Sequence, residues 1–152
     1  LTSSDAASTI ENYMSKNIVT MPDESAALDV AKLMVERKIS SILLTDESNK
    51  IVGIITERDL LREICRNNLS AKQVSAKSMM SAPLLKIDKD LSIDDAARLM
   101  VEFRVRHVAV ENKKDNELIG VITTSDLTSY IKRHVERNYN VPTSLFEALY
   151  CE

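Results

Sequence analysis

This 152-residue chain is poor in the residues that usually announce a function. It has two cysteines, two glycines and no tryptophan. Cys65 lies in a helix-like run and Cys151 stands next to the last residue. Neither has a second cysteine or a histidine at ligand spacing, so a disulfide and a zinc site are both unexpected and the thiols read as reduced. No apolar run approaches the length that crosses a bilayer, which excludes a helical membrane span. A basic surplus is missing too. The net charge of −3 and a pI near 5.5 argue against a dedicated nucleic-acid binder, which needs cations to neutralise phosphates. Leu1-Thr2-Ser3-Ser4-Asp5 has neither the basic start nor the apolar block of a secretory signal and lacks an initiator methionine, as at a trimmed start; a cytoplasmic location is expected. There is no Ser/His/Asp set, metal-ligand cluster or P-loop, so neither catalysis nor a bound metal is expected.

What the chain does have is a duplication, and its two glycines mark it. Gly53-Ile54-Ile55-Thr56-Glu57-Arg58-Asp59 returns as Gly120-Val121-Ile122-Thr123-Thr124-Ser125-Asp126. Each describes a short β-branched strand running into a helix, with an oxygen acceptor at the junction. Met14 and Met80, like Met34 and Met100, stand 66 residues apart; Gly53 and Gly120, like Asp59 and Asp126, stand 67 apart. Two copies are too few for a solenoid.

Periodicity supplies the elements. Ala6, Ile10, Tyr13 and Met14 predict a short helix over 5–14 that packs on the rest. Ile18-Val19-Thr20 predicts a strand, and Ala27, Val30, Ala31 and Met34 one face of a helix over 26–37. Strands follow at 41–45 and 51–55, then a helix over 56–68 with Leu60, Leu61, Ile64 and Cys65 inward. Residues 67–78 hold no glycine or proline, which predicts a short connecting helix and no floppy linker. In the second copy, Ser92-Ile93-Asp94-Asp95 caps a helix whose face is Ile93, Ala96, Ala97 and Met100. Strands at 107–111 and 118–122 and a helix over 124–138 complete it. Leu145, Phe146, Leu149 and Tyr150 form an apolar stripe in the tail. The expected organisation is an N-terminal segment 1–12, a first unit 13–68, a connector 69–78, a second unit 79–138 and a tail 139–152.

The chemistry of the repeated turn suits a nucleoside. An ionised carboxylate only accepts hydrogen bonds, which fits adjacent ribose hydroxyls, while a threonine hydroxyl and free N–H groups at a helix start fit phosphate. Thr-x-x-Asp before an apolar run is also a helix capping box, and the two uses can coexist. His107 beside Arg106 fits an anion; His134 beside Lys132 and Arg133 near a helix end reads as solvated.

The two aligned copies, each with a methionine, a helix ending in Leu-Met, a hairpin and the Gly-to-Asp turn, resemble a tandem cystathionine β-synthase (CBS) domain protein, or Bateman module, of the stand-alone type. The resemblance covers about Tyr13 to His134. Leu43 and Ala109 depart from it where the family often has proline. It implies an α+β fold of two βαββα units packed as a pseudo-twofold pair, a homodimer, and an adenosine ligand such as AMP, ADP, ATP or S-adenosylmethionine held between units to regulate another protein, with no cofactor required. Carried over by position, the resemblance puts Thr56, Arg58, Asp59, Pro83, Leu84, Leu85, Arg106 and His107 in a first cleft. It puts Ile18, Val19, Thr20, Ile39, Ser40, Ser41, Thr123 and Asp126 in a second. Because Arg58 aligns with Ser125, and Arg106-His107 with Ser40-Ser41, the first cleft is expected to be the stronger nucleotide site and the second the weaker. The function so implied is an energy-sensing regulatory module; the alternatives are a dimerisation or interaction module without a ligand, and an S-adenosylmethionine sensor.

Overall fold

The computed structural model describes residues 9–139. The expected helix over 5–14 lies partly outside them; its described part is a 3-10 turn, Ile10–Asn12. The apolar stripe of the tail and Cys151 lie outside as well.

Among the described residues the order is β1 (Thr20–Pro22), α1 (Ala27–Arg37), β2 (Ser41–Thr45), β3 (Ile51–Thr56), α2 (Glu57–Leu60), β4 (Lys86–Asp88), α3 (Ile93–Phe103), β5 (His107–Asn112), β6 (Glu117–Thr123) and α4 (Thr124–Tyr139). They form an α+β fold with two three-stranded sheets, β1-β2-β3 and β4-β5-β6. In each sheet the first pair is parallel and the second a hairpin. The registers repeat: Leu44 faces Gly53 and Val110 faces Gly120, and a bulge follows at once in both hairpins.

The chain divides into two compact units that do not follow chain order. Residues 17–85 form one; the residues through Lys16 join those from Lys86 onward to form the other. In the first, Ala27, Val30, Met34, Ile42, Leu44, Ile55, Ala76 and Met79 make the buried cluster. In the second, Ile10, Met14, Ile93, Ala96, Met100, Val108, Val110 and Ile122 are buried. The apolar faces of α1 and α3 thus supply Ala27, Val30 and Met34, and Ile93, Ala96 and Met100, as the periodicity predicts.

The glycines explain how each unit is closed. Ser15 exchanges backbone hydrogen bonds with Val121, both 3.0 Å, and Ser81 does the same with Ile54, at 3.1 and 2.8 Å. The leading segment of each repeat therefore completes the hairpin of the other. A Cβ on Gly120 would stand 2.5 Å from the Ser15 carbonyl oxygen, and one on Gly53 2.6 Å from Met80 Sδ. Neither glycine has a positive φ. Both are needed for close approach.

Three expectations change. No helix forms over 69–78; the stretch makes turns and a 3-10 turn, Ala76–Ser78. Its carbonyls are engaged elsewhere: Ala27 N donates to Val74 O (2.8 Å) and Leu28 N to Ala71 O (2.9 Å). The residue before α1, Ala26, has no side-chain acceptor, so the linker backbone takes over the orphan donors of that helix. Next, the strand expected at Ile18-Val19-Thr20 begins later, because parallel pairing starts at Thr20 with Leu43, as it does at Lys86 with Ala109 in the second sheet. Finally, α2 continues as a π-helical turn, Leu61–Cys65. Its wider ladder breaks the 3.6-residue stripe, and Leu61 and Cys65, expected inward, are exposed.

Candidate functional site

Both Thr-x-x-Asp turns sit where the last strand of a sheet becomes a helix. At the first, Thr56 N and Oγ1 donate to Asp59 Oδ2 at 2.9 and 2.7 Å, and Asp59 N donates back to Thr56 Oγ1 at 3.3 Å. At the second, Thr123 N and Oγ1 donate to Asp126 Oδ2 at 2.7 and 2.8 Å, with Asp126 N on Thr123 Oγ1 at 3.4 Å. The capping box is therefore built in both copies, and it satisfies helix N–H groups that would otherwise be orphans.

The box alone does not mark a site. Ser92 and Asp95 make the same one at the start of α3, with Ser92 Oγ and N donating to Asp95 Oδ2 at 2.6 and 3.1 Å. Those bonds hold the Asp95 carboxyl below its ordinary value. What distinguishes the two repeated turns is their setting. Thr56 lies in register with Ser41, and Thr123 with His107. The start of the neighbouring strand is also tied to the helix start, because Glu57 N donates to Ser40 O (3.0 Å) and Thr124 N to Arg106 O (3.1 Å).

The structure groups the candidate residues by compact unit. Thr56, Arg58, Asp59, Pro83, Leu84 and Leu85 share a unit with Ile18, Val19, Thr20, Ile39, Ser40 and Ser41. Arg106, His107, Thr123 and Asp126 share the other. Within them, Ser40-Ser41 is brought to Thr56 and Arg106-His107 to Thr123. In the first unit a groove of about 420 Å³ adjoins the turn, lined by Met34, Val35, Ile39 and Leu60 with Lys38, Ser40 and Glu57.

The two carboxylates differ. Asp59 is buried at 6% exposure, and its second oxygen, Oδ1, accepts from Arg62 Nη2 at 3.0 Å. Arg62 Nε also donates to Glu63 at 2.8 Å, and the Glu63 bond followed by the Asp59 charge raises the guanidinium pKa further. Asp126 is half-buried. Among the described residues, the hydrogen bonds that its carboxylate accepts both go to Oδ2. Sequence reading passed over Arg62, although an acid and a base at i and i+3 on a helix are a known pairing signal. No group of three or more His, Cys, Asp or Glu side chains among the described residues could hold a metal ion, and no helix among them is long and apolar enough to cross a membrane.

Two small α+β units, each ending its sheet in such a turn, define a paired-repeat ligand-binding architecture. The CBS-domain family model matches residues 10–66 and again 76–133, and the chain belongs to that family as a tandem pair, a regulatory ligand-binding module. An uncharacterized protein of Methanopyrus kandleri is 29% identical over 112 residues, 74% of this chain and 57% of that protein. The chain thus spans little more than half the length of that relative. Among solved structures, a CBS-domain containing protein from Agrobacterium tumefaciens superposes with a TM-score of 0.76 at 23% identity, covering 85% of this chain and 97% of that one. A CBS domain pair in complex with 5′-methylthioadenosine and S-adenosyl-L-methionine gives 0.72 at 21% identity, covering 83% and 97%.

Proposed function

We propose that the chain senses an adenosine-containing ligand through its Thr-x-x-Asp turns and passes the binding event to a partner protein, with no chemistry of its own. The observation that carries this reading is the repeated turn itself. In each unit a carboxylate is fixed by two donors on one oxygen, at a strand end tied to the start of the neighbouring strand. That leaves Asp126 Oδ1 as an acceptor for ribose hydroxyls, with the Thr124 region and Arg106 at hand for an anionic group. AMP, ADP, ATP and S-adenosylmethionine are the ligands that the family resemblance implies, and the turn chemistry fits their ribose and phosphate groups. The structural neighbour in complex with S-adenosyl-L-methionine and 5′-methylthioadenosine adds the latter to those worth testing.

A thermal-shift series with these five compounds decides the matter. A ligand at a hundred times its Kd stabilises by about 2.7 kcal/mol, which for a chain of this size raises the Tm by roughly 5 °C or more. No shift with any of them at millimolar concentration would sink the proposal.

A homodimer fits the exposed apolar residues. Val35 and Val101, equivalent in the two repeats, are each 79% exposed, and Leu61 is 66% exposed. A monomeric sedimentation coefficient at tens of micromolar would remove this part of the reading.

A further inference from the structure

The two repeated turns are unequal in a way that motif alignment does not reveal. Asp59 and Asp126 both commit Oδ2 to their own helix start. Only the other oxygen can serve a ligand. At Asp59 that oxygen carries the Arg62 guanidinium at 3.0 Å, and the residue is almost fully buried. Arg62 is itself braced: Glu63 holds its Nε at 2.8 Å, and Asn67 Nδ2 holds the other Glu63 oxygen at 3.0 Å. In the second copy the aligned residue is Ser129, whose hydroxyl turns back to Ser125 O at 2.9 Å. Among the described residues, no ion pair to Asp126 takes the place of the one Arg62 makes with Asp59.

We infer that Arg62 is the residue that sets which turn takes the ligand, closing the Asp59 turn and leaving the Asp126 turn to bind first. This rests on the adenosine-ligand reading above and inverts the preference expected from the charges between Thr and Asp. The physical reason is competition. A ribose hydroxyl must donate to the same oxygen that the guanidinium already occupies, and a neutral hydroxyl displaces a charged donor poorly. Arg62 is 47% exposed along its side chain, so the closure is shallow and removable.

The test uses the full chain and two probes, AMP and the uncharged 5′-methylthioadenosine, with isothermal titration calorimetry. Asp126→Asn keeps the oxygen that caps α4 and replaces the ligand-facing oxygen by an N–H donor. It is expected to weaken wild-type binding about ten- to a hundredfold, the worth of a hydrogen bond to a charged group. In that background, Arg62→Met keeps the length of the stem and removes the charge. It is expected to tighten binding at the Asp59 turn about fivefold for both probes, and a further Asp59→Asn change is expected to abolish the gain. Arg62→Lys, which keeps a cation, is expected to stay nearly closed. An unchanged melting temperature for Arg62→Met shows that folding is not at issue.

Equal or weaker binding of both probes after Arg62→Met overturns the inference while leaving the adenosine reading intact. Weaker AMP binding with unchanged 5′-methylthioadenosine binding overturns it in a different way, making Arg62 a phosphate contact. Wild-type protein that binds neither probe overturns this inference, and the adenosine reading falls with it only if ADP, ATP and S-adenosylmethionine also give no thermal shift.

Discussion

At Gly53 and Gly120 the missing side chain matters because backbone from a distant part of the chain fills its space. The nearest atom to a Cβ on Gly120 is the Ser15 carbonyl oxygen at 2.5 Å, which belongs to a hydrogen-bonded pair and cannot move without breaking it. The nearest to a Cβ on Gly53 is the flexible thioether of Met80 at 2.6 Å, with the Ser81 carbonyl oxygen next at 2.9 Å. Both Gly→Ala changes are therefore expected to destabilise by roughly 1–3 kcal/mol, the usual cost of overpacking, with Gly120→Ala the more severe. Urea unfolding midpoints of the two variants check the order, and a Gly120→Ala midpoint equal to wild type would refute the close-approach account. The sequence showed that these glycines were special. It could not show why, since the atoms they make room for lie 27 to 106 residues away, and no local pattern links them.

Elements were most legible where one helix face or one strand run was continuous. The core faces of α1 and α3 and both hairpins stand where periodicity places them. Ends and connectors were less legible, because they depend on partners. A chain with two glycines, both used in strands, must close its helices with other residues. Lys38 after α1 and Arg104 after α3 take the left-handed conformation at φ 53°. Ile39 N and Val105 N then reach back to Met34 O and Met100 O, both at 3.0 Å. A side chain in that conformation costs about 1 kcal/mol that glycine does not incur. Lys38→Gly and Arg104→Gly are expected to stabilise by about that amount, read as a higher urea midpoint at constant slope. The linker escaped a helix for a reason of the same kind: Val74 O and Ala71 O cap α1, which offers no side-chain cap of its own.

For the whole molecule, the exchange of leading segments between repeats is the organising fact. Ile10 N and Glu11 N donate to Leu91 O and Lys89 O at 2.9 and 3.1 Å, Lys89 pairs with Glu11, and Tyr13 stacks edge-on against Tyr130 at 5.1 Å. Every one of these contacts joins the leading segment of the first repeat to the second repeat. Removing residues 1–16 is accordingly expected to lower amide protection in β6 and α4 while β2 and β3 keep theirs, as measured by hydrogen exchange. Loss confined to β2 and β3 would contradict the assignment. The candidate site follows the same division. Each Thr-to-Asp turn could be read from the sequence because its bonds span three residues, whereas the neighbours it meets within its own unit, Ser40-Ser41 or Arg106-His107, come from the register of a hairpin.

The sequence by itself determined the duplication, the α+β class, the helix faces and the presence of two capped strand-to-helix turns. All of these are set by residues within a few positions of one another, or by a repeat that can be counted. Only the tertiary structure decided which leading segment closes which repeat, where the short first strands begin, and that, among the described residues, Asp59 and not Asp126 has its second oxygen taken by an arginine. The physical reason is that backbone pairing and side-chain geometry choose among partners that composition and spacing leave equivalent: a carboxylate beside an arginine in sequence is paired only if the helix between them turns the two face to face.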